Sequence, residues 1–210
     1  MDGQVTNAQI KKRQKNLLKW IGLILGGAIL LVVIAVIVLN QLLPKEEDTP
    51  KKEIYFYPVS DENIFENPQY LAKDLQIYYC ENSDGTGRTA PISADEAVGA
   101  EVLFAKLYLE YLINGDEQAL RAICTEEYLK SNPISDFTQQ MLYDMHIYYE
   151  NTESQTDGSK RVTYRLEYKI LRNNGTYRRD VGSDGAKPEW LVLNVAPNQM
   201  DIRIDGIVRR

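Results

Sequence analysis

Phe104-Ala105-Lys106-Leu107-Tyr108-Leu109-Glu110-Tyr111-Leu112-Ile113-Asn114-Gly115-Asp116 holds most of one helix, its stop and the start of the next. Val98, Val102, Ala105, Leu109 and Leu112 recur at three- and four-residue spacing, and Leu103, Phe104 and Leu107 widen the same apolar face. That period describes a helix that is mostly buried. Upstream, Ser93 with Glu96 forms a capping box, so the helix is predicted to open there and to run for about five turns. Asn114-Gly115 ends it, Asp116 caps a short second helix through Ile123, and Thr125 caps a third over 126–131 that Asn132-Pro133 terminates. Ser135 is predicted to open a further brief helical stretch to about Tyr143.

Downstream the period changes to two. Val162, Tyr164, Leu166, Tyr168 and Ile170 alternate with Arg161, Thr163, Arg165, Glu167 and Lys169, the pattern of a strand with one face buried and one in water. Residues 145–152 read as its partner across Asp157-Gly158. Asn174-Gly175 is a two-residue hairpin signal leading into a predicted strand over 176–181, followed by strands over 189–196 and 200–208. Before the helices, 74–81 reads as a strand and 82–87 as a loop, with an aromatic patch at 54–57. Helices first and then a meandering antiparallel sheet make an α+β fold.

Further upstream, residues 21–39 carry no charged or polar side chain. As a helix this run is about 28 Å long, close to the hydrocarbon thickness of a bilayer. The sequence therefore divides into a basic cytoplasmic tail (1–19), a transmembrane helix (20–43), a charged linker (44–53) and an extracytoplasmic α+β domain (54–210). Lys11, Lys12, Arg13, Lys15 and Lys19 against Asp2 give the first 43 residues a charge of +4; nineteen basic and twenty-nine acidic groups leave −10 on the rest. Basic flanks stay inside, which places the C-terminal domain outside the cell membrane. Trp20 sits where an interfacial aromatic would anchor the inner end, with Ile21 and Leu39 bounding the apolar run. A cleaved leader would have a shorter apolar stretch and a small-x-small site, which 39–43 lacks. Gly22 and Gly26 form one GxxxG, a spacing that would let two membrane helices meet as a homo-oligomer, although glycine is also common in such helices without that role.

The outer segment is long enough for one domain with its own core. Its acidity argues against a nucleic-acid grip. Fourteen tyrosines against four phenylalanines point to aromatic surfaces that stay partly wet. Cys80 and Cys124 could form a disulfide outside the cytoplasm or remain two buried thiols; spacing does not decide between them. With one histidine, His146, a zinc site is excluded, and no motif implies a cofactor.

The long amphipathic helix, the Gly-Asp turn, the two short helices and the run of strands resemble the nuclear transport factor two-like superfamily. The stretch 100–133 carries the resemblance, together with Trp190-Leu191-Val192-Leu193 and Ile202-Arg203-Ile204-Asp205-Gly206-Ile207, which look like the last two strands. The resemblance implies a cone in which a curved sheet wraps the long helix around a pocket. A basic tail, one span and an outer domain of this type are also similar to the bitopic scaffold components of bacterial type IV secretion and conjugation machines. Architecture carries over from these likenesses; no functional residue does.

Isomerase-like members use a carboxylate of raised pKa in an apolar cavity beside tyrosine donors. Asp144, His146, Tyr148 and Tyr164 are the residues here that could face such a pocket, but no motif selects them, and catalysis is not the expected role. Phe65-Glu66-Asn67-Pro68-Gln69-Tyr70 matches a sorting signal read in the cytoplasm, and Asn-Pro as a turn starter accounts for it more simply. Asn174-Gly175-Thr176 is formally a glycosylation sequon that coincides with the hairpin signal. Asp180 to Gly185 imitates a calcium loop but lacks the ligand at its third position and the acid at its twelfth, which is Leu191. Arg161, Arg165 and Lys169 share the wet face of one strand, either to dock an acidic partner or only to keep the sheet soluble. The expected function is a membrane-anchored binding or assembly module for a membrane or envelope protein. A small-molecule or lipid sensor is the alternative, with an isomerase or dehydratase behind it.

Overall fold

Gly115 closes the long helix with φ at +68°, its N–H bonded to the Leu112 carbonyl and the following Asp116 N–H bonded to Tyr111. This Schellman-type closure needs a residue free to enter the left-handed region, and a Cβ at this position would stand 2.6 Å from the Gln139 backbone nitrogen. The computed structural model describes residues 53–85, 89–92, 98–198 and 201–209. The capping box at Ser93 and Glu96 falls outside them, as do Trp20, Ile21, Leu39, Gly22 and Gly26. Among the described residues no helix is long and apolar enough to cross a membrane, and the predicted span at 20–43 lies outside them.

Four short to medium α-helices and six strands make up the described chain. Helix α1 (Pro68–Leu71) follows a 3-10 turn at Ile64–Glu66, and helix α2 (Ala100–Asn114) is the long one. Helices α3 (Glu117–Ala122) and α4 (Glu126–Ser131) are capped by Asp116, which accepts from the Ala119 N–H, and by Thr125, which accepts from Tyr128. The strands are β1 (Ile77–Cys80), β2 (Thr89–Pro91), β3 (Leu142–Ser154), β4 (Lys160–Ile170), β5 (Glu189–Val195) and β6 (Ile202–Arg209). They form one sheet in the order β2-β1-β3-β4-β5-β6. The α+β class is as expected, but the sheet is mixed: β1 runs parallel to β3, and the other neighbours are antiparallel.

Helix α2 starts later than predicted. Its N-cap is Gly99, without a side-chain hydrogen bond, and Val98 stands before the helix. Val102, Ala105, Tyr108, Leu109 and Leu112 are buried as the spacing predicted. They pack with the inward residues of the sheet, among them Met145, Ile147, Leu166, Leu191 and Leu193, in the main core. The alternation along β4 also holds, with Val162, Tyr164, Leu166, Tyr168 and Ile170 inward and the charged residues outward. A smaller core of Ile64, Tyr70, Tyr143 and Leu171 seats α1. There Asn67 caps the helix through its side chain, and the buried Tyr70 hydroxyl donates to the Leu142 carbonyl at 2.9 Å. The apparent sorting signal is thus a helix start whose tyrosine is committed to the core.

Two predicted elements are absent. Residues 135–141 have no regular secondary structure instead of a helix, because their polar groups find distant partners: Gln140 N–H donates to the Leu112 carbonyl, Thr138 N–H donates to the Thr176 hydroxyl, and Phe137 packs on the Tyr177 ring. Residues 176–181 form no strand, and Asn174-Gly175 is no hairpin. The Asn173 side chain takes the place of a ladder, donating to the carbonyls of Arg178 at 2.9 Å and Val181 at 2.7 Å and accepting from Gly175 N–H. Gly175 has φ +72°, and a Cβ there would meet the Phe56 ring at 2.8 Å, which fixes the strap at 54–57 against this loop as non-strand chain.

Candidate functional site

The sheet has an inner face against α2 and an outer face in water, and the register carries two adjacent rows of residues across the outer side. Tyr78 pairs with His146, while Tyr148 pairs with Arg165, Arg165 with Trp190 and Trp190 with Val208. The Tyr78 and His146 rings stack with centroids 5.2 Å apart, and His146 lies 6.0 Å from Tyr148. The Arg165 guanidinium sits 4.1 Å from the Tyr148 ring centre, a cation-π contact. Its Nε donates to Glu150 at 2.8 Å, and its terminal nitrogens bond Glu167 and the Ser83 carbonyl. Arg165 is therefore held on three sides before any partner arrives.

The other two residues of the predicted docking stripe share this face and are also paired. Arg161 meets Asp205 at 3.0 Å, and Lys169 meets Asp144 at 2.7 Å. The structure brings Arg161, Arg165 and Lys169 together on one side of the sheet and neutralises each within the domain. The face therefore combines aromatic rings with basic side chains whose charges are balanced within the domain.

The residues that could have served catalysis are divided. Asp144, His146 and Tyr148 lie on the wet outer face, whereas Tyr164 is buried in the core against Tyr149. The Lys169 ammonium, with His146, holds the Asp144 carboxyl below the usual carboxylate range, opposite to what a general base in an apolar pocket requires. Asp144 has φ +54° at a register shift in β3, which turns its side chain toward Lys169.

Inside the domain lies a polar centre that the sequence reading missed. Glu189, at the inward first position of β5, is fully buried. Its Oε1 accepts from the hydroxyls of Tyr108 at 2.7 Å and Tyr168 at 2.8 Å; its Oε2 accepts from Arg209 at 3.0 Å and faces Arg178 at 3.5 Å. Arg178, also fully buried, grips Asp180 through two bonds of 2.7 Å and donates to the Tyr168 hydroxyl at 3.1 Å. The Tyr177 hydroxyl closes the group by bonding to that of Tyr108. Burial, and after it the charge of Glu189, raises the Tyr108, Tyr168 and Tyr177 hydroxyls far above their usual range, so they remain donors. Three hydrogen bonds, from Tyr108, Tyr168 and Arg209, and the nearby Arg178 charge hold the carboxylate in place. The signal for this centre was present in the alternation, since Glu189 is in phase with the inward Leu191, Leu193 and Val195.

Cys80 and Cys124 are both buried and free. Cys80 belongs to β1, and Cys124 bridges to Ile204 of β6. Strands β3, β4 and β5 lie between β1 and β6, so the two cysteines belong to opposite ends of the sheet order and are not bonded to each other. The disulfide alternative is therefore corrected to two thiols, and burial pushes that of Cys124 up to about 11. Among the described residues no group of three or more His, Cys, Asp or Glu side chains could hold a metal ion. Asp180, the first residue of the apparent calcium loop, is occupied by Arg178. Asn174 of the sequon accepts from the Thr176 N–H at 3.0 Å and donates to the Thr138 hydroxyl at 2.8 Å. No family model, curated protein or solved structure matches this chain.

Proposed function

We propose that this protein is a single-pass, membrane-anchored extracytoplasmic binding and assembly module, and that the outer sheet face docks a membrane or envelope protein. The observation that carries the reading is the outer-face patch of two adjacent cross-strand rows, Tyr78 and His146 in one and Tyr148, Arg165, Trp190 and Val208 in the other. Tyrosine, tryptophan and arginine are enriched in binding hot spots, and the two aromatics bury a large area with little loss of side-chain freedom. Here Arg165 is already immobilised by Glu150, Glu167 and Ser83, so ordering it on contact costs little. The Glu189 carboxylate is fully buried and engaged by Tyr108, Tyr168 and Arg209, which supports a structural role for it over proton abstraction. The apolar run at 21–39, with its basic flank, supplies the anchor that would confine the face to the membrane surface and raise its effective concentration for neighbours. In this reading the domain is the cone-shaped, nuclear transport factor two-like kind, and Gly22 and Gly26 offer a seam between two anchors.

A photo-crosslinking residue at Thr163, on the outer face between Arg161 and Arg165, tests the proposal in intact cells. A discrete protein adduct is expected there and not from the same probe at Lys106 on α2. Equal labelling at both positions, or none at Thr163, would remove the outer face as a docking surface. Protease added to intact cells or protoplasts should cleave the domain after residue 53; full protection would overturn the topology instead.

A further inference from the structure

A cleft of about 790 Å³ opens beside the buried polar centre, between the end of α4, the loop carrying Thr176 to Asp180, and the end of β6. This is within the usual size of a small-molecule site. One wall is apolar, built by Tyr128, Ile134 and Ile207; the other presents Thr176, Tyr177, Arg179 and Arg209. Among the described residues that line the cleft, Asp180 is the one acid, and both of its oxygens are taken by Arg178. Arg209 spends its Nε on Glu189 and lies 4.6 Å over the Tyr177 ring. Arg179 anchors its Nε on the Gly175 carbonyl at 3.1 Å, and among the described residues no acidic side chain forms an ion pair with it. Three arginines, 178, 179 and 209, thus stand against two carboxylates, Asp180 and Glu189. The surplus positive charge belongs to Arg179, which faces the cleft, on an outer segment that is otherwise strongly acidic.

We propose that this cleft binds a small amphiphilic anion, with its carboxylate or phosphate group on Arg179 and Arg209 and its apolar body against Tyr128, Ile134 and Ile207. The guanidinium fork of Arg179 is fixed at Nε, and its two terminal amino groups have no partner among the described residues, which suits the planar oxygens of a carboxylate or a phosphate. The apolar wall adds affinity for a ring or chain attached to that group. This site is separate from the outer sheet face, and its occupancy does not depend on the docking reading.

The test is thermal unfolding of the full chain in nanodiscs of zwitterionic lipid, followed by tyrosine and tryptophan fluorescence at constant ionic strength. The probes are benzoate, phenyl phosphate, inorganic phosphate and the neutral analogue benzamide. A saturable rise in Tm is expected with benzoate or phenyl phosphate, weaker with inorganic phosphate, and absent with benzamide. A preference for benzoate identifies a carboxylate ligand, and a preference for phenyl phosphate identifies a phosphate ester. Arg179→Gln should weaken the better probe at least tenfold, and Arg179→Lys, which keeps the charge without the fork, should fall between. Should no probe give a saturable rise, should benzamide act as well as benzoate, or should Arg179→Gln respond like the wild type, the site does not exist as described.

Discussion

Replacing Glu189 with Gln tests whether the buried centre holds the fold together. The substitution keeps an oxygen for Tyr108 and Tyr168, now at 2.7 and 2.8 Å, but turns an amide N–H₂ toward Arg209 and Arg178. Removing one partner of a buried ion pair costs about 3–5 kcal/mol, because the remaining charge stays desolvated. The side chain of Arg209 is 33% exposed and Arg178 keeps Asp180, so water and the second acid recover part of that cost. The lower end therefore applies, about 3 kcal/mol. For a chain of this size that corresponds to a fall of roughly 6–12 °C in Tm. Denaturant titration of the full chain in micelles, read by near-ultraviolet circular dichroism, gives the difference directly. Arg161→Gln is the control, because it breaks a surface pair with Asp205 whose side chains are 47% and 30% exposed, and it should cost no more than about 1 kcal/mol. If Glu189→Gln costs as little as this control, the polar centre is not a structural element and the argument against a free base inside the domain fails with it.

Three further outcomes follow from the same structure. Gly115→Ala should destabilise by more than about 1 kcal/mol in the same titration, because φ is +68° and the new Cβ would meet the Gln139 backbone at 2.6 Å. Cys80 and Cys124 should both alkylate in denaturant without prior reduction, with little labelling in the folded protein, as intact-mass spectrometry would show. On acidification, Asp180, held down by Arg178, and Asp144, held down by Lys169, have folded pKa values below their ordinary 3.8. Their contribution is therefore present above about pH 3.8 and is lost as pH falls through the lower folded values; Asp180→Asn should flatten the stability profile in that range.

Much of the fold was legible locally. Asn114-Gly115-Asp116 specified a stop and a start within three residues, Thr125 specified a cap, and the alternation from Val162 to Ile170 specified which side of β4 is buried. Each of these depends on neighbours no more than about four positions away, which is the range over which capping and periodicity act. The hairpin at Asn174-Gly175 failed for the complementary reason. Its dipeptide suits a tight turn, but Asn173, Thr138 and Phe56 supply bonds and contacts that hold the chain as a loop. The parallel pairing of β1 with β3 could not be read either, since β1 and β3 are separated by three helices and more than sixty residues.

The site divides along the same line. By itself the sequence determined that Arg161, Arg165 and Lys169 share a wet face and that Glu189 is in phase with an apolar stripe. Only the tertiary structure decided what those positions do. It placed Tyr148 under Arg165 and Asp205 beside Arg161, and it brought Tyr108, 81 residues from Glu189, to within 2.7 Å of its carboxylate. A charge takes its character from the groups that replace its water, and those groups arrive from parts of the chain that local spacing does not connect.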